Sequence, residues 1–171
     1  EIELIRKYRD MSQYPECDQA IDDIINESVV TNRENQPVTI NLEKSNLSDN
    51  IKASIKKEFS EIMRLLDFRK IGYEIFRKWY VDGRTYYHII VDIEKPTEGI
   101  KELRYVDPRR IKKVREPIRE KDPKTSVVIN KGYKEYYIYN QKGVYNNHST
   151  QGVKIAADSI SYAHSGILDP D

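Results

Sequence analysis

Few groups in this chain could do chemistry: three histidines, one cysteine, and carboxylates scattered among turn residues. His88 lies inside a tyrosine-rich run, His148 in a polar stretch and His164 at the end of a short apolar run. None has a second histidine or an acid at a repeated ligand spacing, so no metal centre is expected. Cys17 falls on the apolar stripe of a helical pattern, where a buried, inert thiol is the expectation. Being the one cysteine, it excludes an intramolecular disulfide and a cysteine-based metal cluster. Asp82, Asp92 and Asp107 flank strand-like runs and could together form a carboxylate site for acid–base work. Turn and cap roles account for each of them more simply. The seven glycines are scattered beside turn residues and make no phosphate-cradling loop. These residues point away from an enzyme, and no cofactor is expected.

Charge is a stronger signal than chemistry. Charged residues make up 33% of the chain, yet the net charge is +1, so no global field draws nucleic acid. The distribution is uneven. Residues 1–27 hold eight acids against three bases, and residues 104–124 nine bases against four acids. The sharpest run is Arg109, Arg110, Lys112, Lys113 and Arg115. One reading is a nucleic-acid-binding module over 104–124, contacting phosphates. Another is a solvated edge strand, which Lys and Arg protect from further pairing. No aromatics alternate with these bases as on a single-strand binding platform. A third reading is assembly. In a head-to-tail ring, an acidic face bearing Asp18, Asp22 and Asp23 could meet this basic face on the next subunit.

Periodicity defines the elements that must hold these groups. Residues 1–11 read as a short helix lying on something else. Pro15 suits a first helical position, Glu16 and Asp18 favour the positive end, and Cys17, Ala20, Ile21, Ile24 and Ile25 form one face. The pattern predicts a helix over 15–28. Val38, Ile40 and Leu42 alternate with polar residues, predicting a strand at 37–42 with Pro37 at its start or on an edge. Ser48 reads as an N-cap. Apolar residues then recur at helical spacing from Ile51 to Leu66, and again from Phe68 to Trp79. Two helices, about 49–66 and 68–79, are expected with a tight joint at Asp67. Gly72 suggests a close helix approach.

The stretch from Gly72 to Asp92 changes period at Asp82-Gly83, where a helix feeds a strand. It carries six aromatics, among them Trp79, the one tryptophan. Short strands are expected after it: 84–93, 103–106, 111–115, 135–139 and 144–145, then 153–156 and 159–164. Residues 116–126 read as poorly structured and 130–134 as a turn around Gly132. The whole is α+β: helices over 1–80 packed on a small, mainly antiparallel sheet over 81–171, as a single domain. The expected core is Ile21, Ile25, Phe59, Phe68, Phe76 and Trp79. A buried Trp79 would make Trp79→Ala cost ~3–5 kcal/mol. Thirteen tyrosines suit half-buried sheets and interfaces. No apolar run approaches the ~20 residues needed to cross a bilayer. The start without Met and the stop just after a strand-like pattern lead us to expect a fragment.

Several segments together resemble the portal protein of T4-like tailed bacteriophages. They are Asp67-Phe68, the run Gly72-Tyr73-Glu74-Ile75-Phe76-Arg77-Lys78-Trp79-Tyr80-Val81-Asp82-Gly83-Arg84, and Tyr87-His88. Gly99-Ile100 and Leu103-Arg104-Tyr105-Val106-Asp107-Pro108-Arg109 follow in the same order and spacing. Pro15-Glu16 with Ala20-Ile21, and the closing Asp158-Ser159-Ile160, His164-Ser165-Gly166, fit the same family. The resemblance implies a structural role in the virion. A ring, usually a dodecamer, would sit at one capsid vertex. Terminase would pump double-stranded DNA through its channel, and the DNA would later leave by the same route. Capsid, scaffold, and head-completion or neck proteins would be further partners, met in the host cytoplasm during assembly. This chain would supply the peripheral wing, with little direct DNA contact.

Overall fold

The computed structural model describes residues 2–29, 38–121, 128–144 and 151–166. Among these residues the chain forms four helices and two antiparallel three-stranded sheets, the α+β class expected. Helices α1 (Ile2–Met11), α2 (Pro15–Ser28), α3 (Asp49–Leu65) and α4 (Phe68–Asp82) come first. Strands β1 (Arg84–Val91), β2 (Ile100–Val106), β3 (Ile111–Lys121), β4 (Val128–Tyr139), β5 (Val153–Ala156) and β6 (Ile160–His164) follow. One sheet has the order β2-β1-β6 and the other β3-β4-β5.

Helix α4 is the hub, packing against α1, α2, α3 and β1. Its entry is the tight joint. Asp67 takes a left-handed conformation (φ 46°, ψ 38°), which Asp tolerates better than most side chains. Its carbonyl accepts bonds from Lys70 N and Ile71 N, starting the new helix. Its exit is Gly83, left-handed at φ 70°, where a side chain would be strained. Ser48 stands at the N-cap of α3, but its hydroxyl makes no cap bond. Gly72 leaves room for its own helix rather than a second one: a Cβ there would lie 3.0 Å from the Phe68 ring.

The strongest packing lies between the two sheets. Tyr86, Val106, Ile111, Tyr137 and Ile160 form one buried cluster, with Tyr139, Ile155 and Ala157 against it. Tyr86 stacks on Tyr162 at 4.8 Å and meets Tyr137 edge-on at 6.0 Å. The expected helical core is corrected accordingly. Ile25 is wholly buried (0% exposed), but Ile21, Phe59, Phe68, Phe76 and Trp79 are half-buried. Among the described residues nothing covers one flank of the helices, so their apolar stripes are only partly closed. Trp79→Ala should therefore cost ~2 kcal/mol, about half the value for a fully enclosed ring. Denaturant melts check it, and a loss above 4 kcal/mol would contradict it.

Four further expectations change. Residues 38–42 form no strand, and Pro37 lies outside the described residues. The alternation finds no strand partner among the described residues, and bonds such as Ser45 N to Leu42 O turn the chain instead. Residues 116–121, expected to be irregular, extend β3. Pro117 is tolerated because β3 is an edge strand. The expected turn at 130–134 runs straight through β4, and the pairing slips between Ile118 and Arg119. Asn130 Oδ1 does accept Gly132 N at 3.1 Å, but this local bond makes an irregularity rather than a reversal. Val144 joins no strand. Its N–H bonds the Arg109 carbonyl at 3.0 Å, and Tyr145 is outside the described residues.

Candidate assembly surface

The joint between α4 and β1 is held by a charge cluster. Arg9 projects from the stripe of α1 that also carries the buried Ile5. It grips Asp82 with two bonds, Nε to Oδ1 at 2.7 Å and Nη2 to Oδ2 at 2.6 Å. It also reaches Asp107 Oδ2 through Nη1 at 3.2 Å. Asp107 caps the short 3-10 turn Pro108–Arg110 by accepting from Arg109 N at 2.9 Å. The Arg109 guanidinium closes the cluster at 2.7 Å from Asp107 Oδ2. One arginine thus ties α1 to the end of α4 and to the turn after β2.

Burial makes this cluster consequential. The Asp82 side chain is 2% exposed, so an unpaired charge there would be costly. Burial alone would raise the Asp107 carboxyl, but the Arg109 bonds and the Arg9 charge outweigh it and hold the group at about 2. The Arg9 guanidinium is pushed up, first by its bonds to Asp82 against the cost of burial. A carboxylate whose folded value lies below its unfolded value stabilises the fold above the unfolded value. That contribution is lost as pH falls from about 3.8 through about 2. After discounting for solvent screening of a partly exposed group, it amounts to ~1 kcal/mol. Asp107→Asn should flatten the pH dependence of stability in that window, as followed by urea melts. An unchanged slope would contradict it.

Beside the cluster lies an apolar groove of about 770 Å³. Leu4, Ile5 and Tyr8 of α1, Ala20 and Ile24 of α2, and Phe76 and Trp79 of α4 are among its walls. Cys17 is half-buried on the same wall rather than enclosed.

The carboxylates expected as an alternative site do not converge. Asp82 and Asp107 share Arg9, while Asp92 accepts Glu94 N at 2.9 Å beyond the far end of β1. The eight residues of β1 put ~26 Å between Asp82 and Asp92. Among the described residues no group of three or more His, Cys, Asp or Glu could hold a metal. His88 sits mid-strand in β1, opposite Arg104 and Ile160. His164 Nδ1 accepts Gly166 N at 3.0 Å, and His148 is outside the described residues. No described helix is long and apolar enough to cross a membrane.

The two charged faces are less free than their counts suggest. Asp18 and Asp22 both pair with Arg77 of α4, and Tyr73 donates to Asp22. Asp23 is exposed. Lys113 and Arg115 both reach Glu135 on β4, at 2.7 and 3.7 Å. Arg104 is held by Glu102 at 2.9 Å, and Arg109 by Asp107. Arg110 and Lys112 follow Arg109 at the turn and the start of β3. Sequence reasoning did not single out Arg9. The available signal was a base continuing the apolar stripe Ile2, Ile5 of α1.

These pieces have relatives. Residues 1–171 match the family described as bacteriophage T4-like portal protein (Gp20). The chain belongs to the T4-like portal protein family. It is 39% identical over 173 residues to the portal protein of Vibrio phage KVP40, covering 97% of this chain and 33% of that protein. It is 44% identical over 112 residues to the portal protein of Salmonella phage ViI, covering 65% of this chain and 20% of that one. The chain thus spans a third or less of the curated portal proteins it matches. The segments that carried the portal resemblance meet in space. Asp82 closes the helix of the first, Asp107 follows the strand of the second, and Arg9 joins them.

Proposed function

We propose that this chain is the peripheral wing of a portal subunit, folded as a single α+β domain over 1–171. Its role is structural rather than catalytic. Copies of the longer protein close a ring, a dodecamer by family resemblance, at one capsid vertex. Terminase drives double-stranded DNA through the channel, and the DNA later leaves by it. Capsid, scaffold, and neck or head-completion proteins contact the same ring. The chain serves in the virion after assembly in the host cytoplasm. The observation that supports this reading is the family match along 1–171. Electron microscopy of the full-length protein carrying this sequence tests it. Rings with an axial hole are expected, and particles without one would overturn it.

The nucleic-acid reading of 104–124 is weaker. Arg104, Arg109, Lys113 and Arg115 each have an acid of this chain within 4 Å, which reduces their attraction for phosphate.

A further inference from the structure

The β3–β4 ribbon outruns its sheet. Strand β5 pairs only with Tyr136–Tyr139, so from Arg115 to Lys121 and from Val128 to Glu135 two strands stand alone among the described residues. A two-stranded ribbon is marginal in water without a surface to lie on. Residues opposite one another share a face. Arg115, Pro117 and Arg119 therefore share one with Glu135, Tyr133 and Asn130, and Val128 lies on it as well. Val128 is 59% and Tyr133 51% exposed. Arg115 lies over the Tyr133 ring at 4.1 Å, and Arg119 makes no ion pair among the described residues. Arg115 is shared with Glu135 on the same face at 3.7 Å, so the face is apolar with Arg119 as its base unpaired among the described residues.

The groove has the complementary character. Glu16, Asp23 and Glu27 are spaced seven and eleven residues apart, which puts them on one line along α2. That line runs beside the groove-lining Ala20 and Ile24, on the flank away from Arg77. All three acids are exposed, and none is paired among the described residues. We propose that the ribbon face carrying Arg115, Arg119, Tyr133 and Val128 seats in the α1–α2–α4 groove of a second copy. Its Arg119 lies against the acidic row of that copy. The contact is heterologous, the kind that closes rings. This inference rests on the ring-forming reading above and adds the surfaces that meet.

The test uses the full-length protein with Cys17→Ser and any cysteine outside residues 1–171 likewise replaced by Ser. One population carries Ala20→Cys on the groove wall and the other Val128→Cys on the ribbon. The two are mixed before assembly and treated with a short bis-maleimide. The expected result is a heterodimer band at least about tenfold stronger than with Ser161→Cys replacing Val128→Cys, a ~1.4 kcal/mol preference. Arg119→Glu should weaken the band, and Asp23→Arg in the partner should restore it. Rings seen by microscopy without the band overturn the inference and leave the portal reading standing. A band no stronger than that of the Ser161→Cys control also overturns it. Loss of both rings and band overturns both.

Discussion

Arg9→Leu is expected to cost ~3–5 kcal/mol, the loss typical of breaking one side of a buried pair. The reason is what remains. Asp82 keeps a charge in a site 2% exposed, with its bidentate partner gone. Asp107 suffers less, because Arg109 still holds it at 2.7 Å. Reducing the residual charge should recover much of the loss. The double variant Arg9→Leu, Asp82→Leu is therefore expected to be more stable than Arg9→Leu alone. Denaturant melts of the single and double variants give the comparison. A single-variant loss below 1 kcal/mol, or no recovery in the double, would mean that the clamp does not hold α1 to the joint. Hydrogen exchange adds a local readout: α1 amides should lose protection before those of β1.

Ile138→Ala is expected to cost ~3–4 kcal/mol, in the range for emptying a fully enclosed aliphatic site. Ile138 is 0% exposed on the central strand of its sheet. The site cannot collapse easily around a void. On one side Gly152 approaches so closely that a Cβ there would lie 2.8 Å from Ile138 Cγ2 and 2.4 Å from the Tyr139 carbonyl oxygen. That glycine also sits at φ 146°, a conformation that a residue with a side chain rarely adopts, so only glycine gives this close approach. Ile138→Val should cost only ~1 kcal/mol, since it removes one methylene. Melts in which both variants lose less than 0.5 kcal/mol would contradict the enclosed packing.

These two sites differ in how far they could be foreseen. Ile138 was legible as a member of a strand, because a run dense in aromatic and β-branched residues at 135–139 is a local signal. Its full enclosure was not, because it depends on Gly152 arriving from beyond the next turn. Arg9 bonds residues 73 and 98 positions away, and no local pattern names its partners. The helical core was overestimated for the same reason: a stripe such as Phe68, Phe76 and Trp79 of α4 announces an apolar face but not what covers it.

What the sequence by itself determined was whatever short-range forces decide. Helices α2, α3 and α4 followed from 3.6-residue periodicity, the break at Asp67 from the rephasing of the stripe, and the helix exit from the left-handed freedom of Gly83. The portal family was legible too, in the order and spacing of segments from Asp67 to Arg109. Tertiary structure alone decided where the core lies, how far β3 and β4 pair, and which charges are neutralised. Asp18 and Asp22 look like a free acidic face until α4 brings Arg77 against them. Pairing across a sheet and charge neutralisation between elements both depend on neighbours remote in the chain, and their energies exist only after the chain has closed on itself.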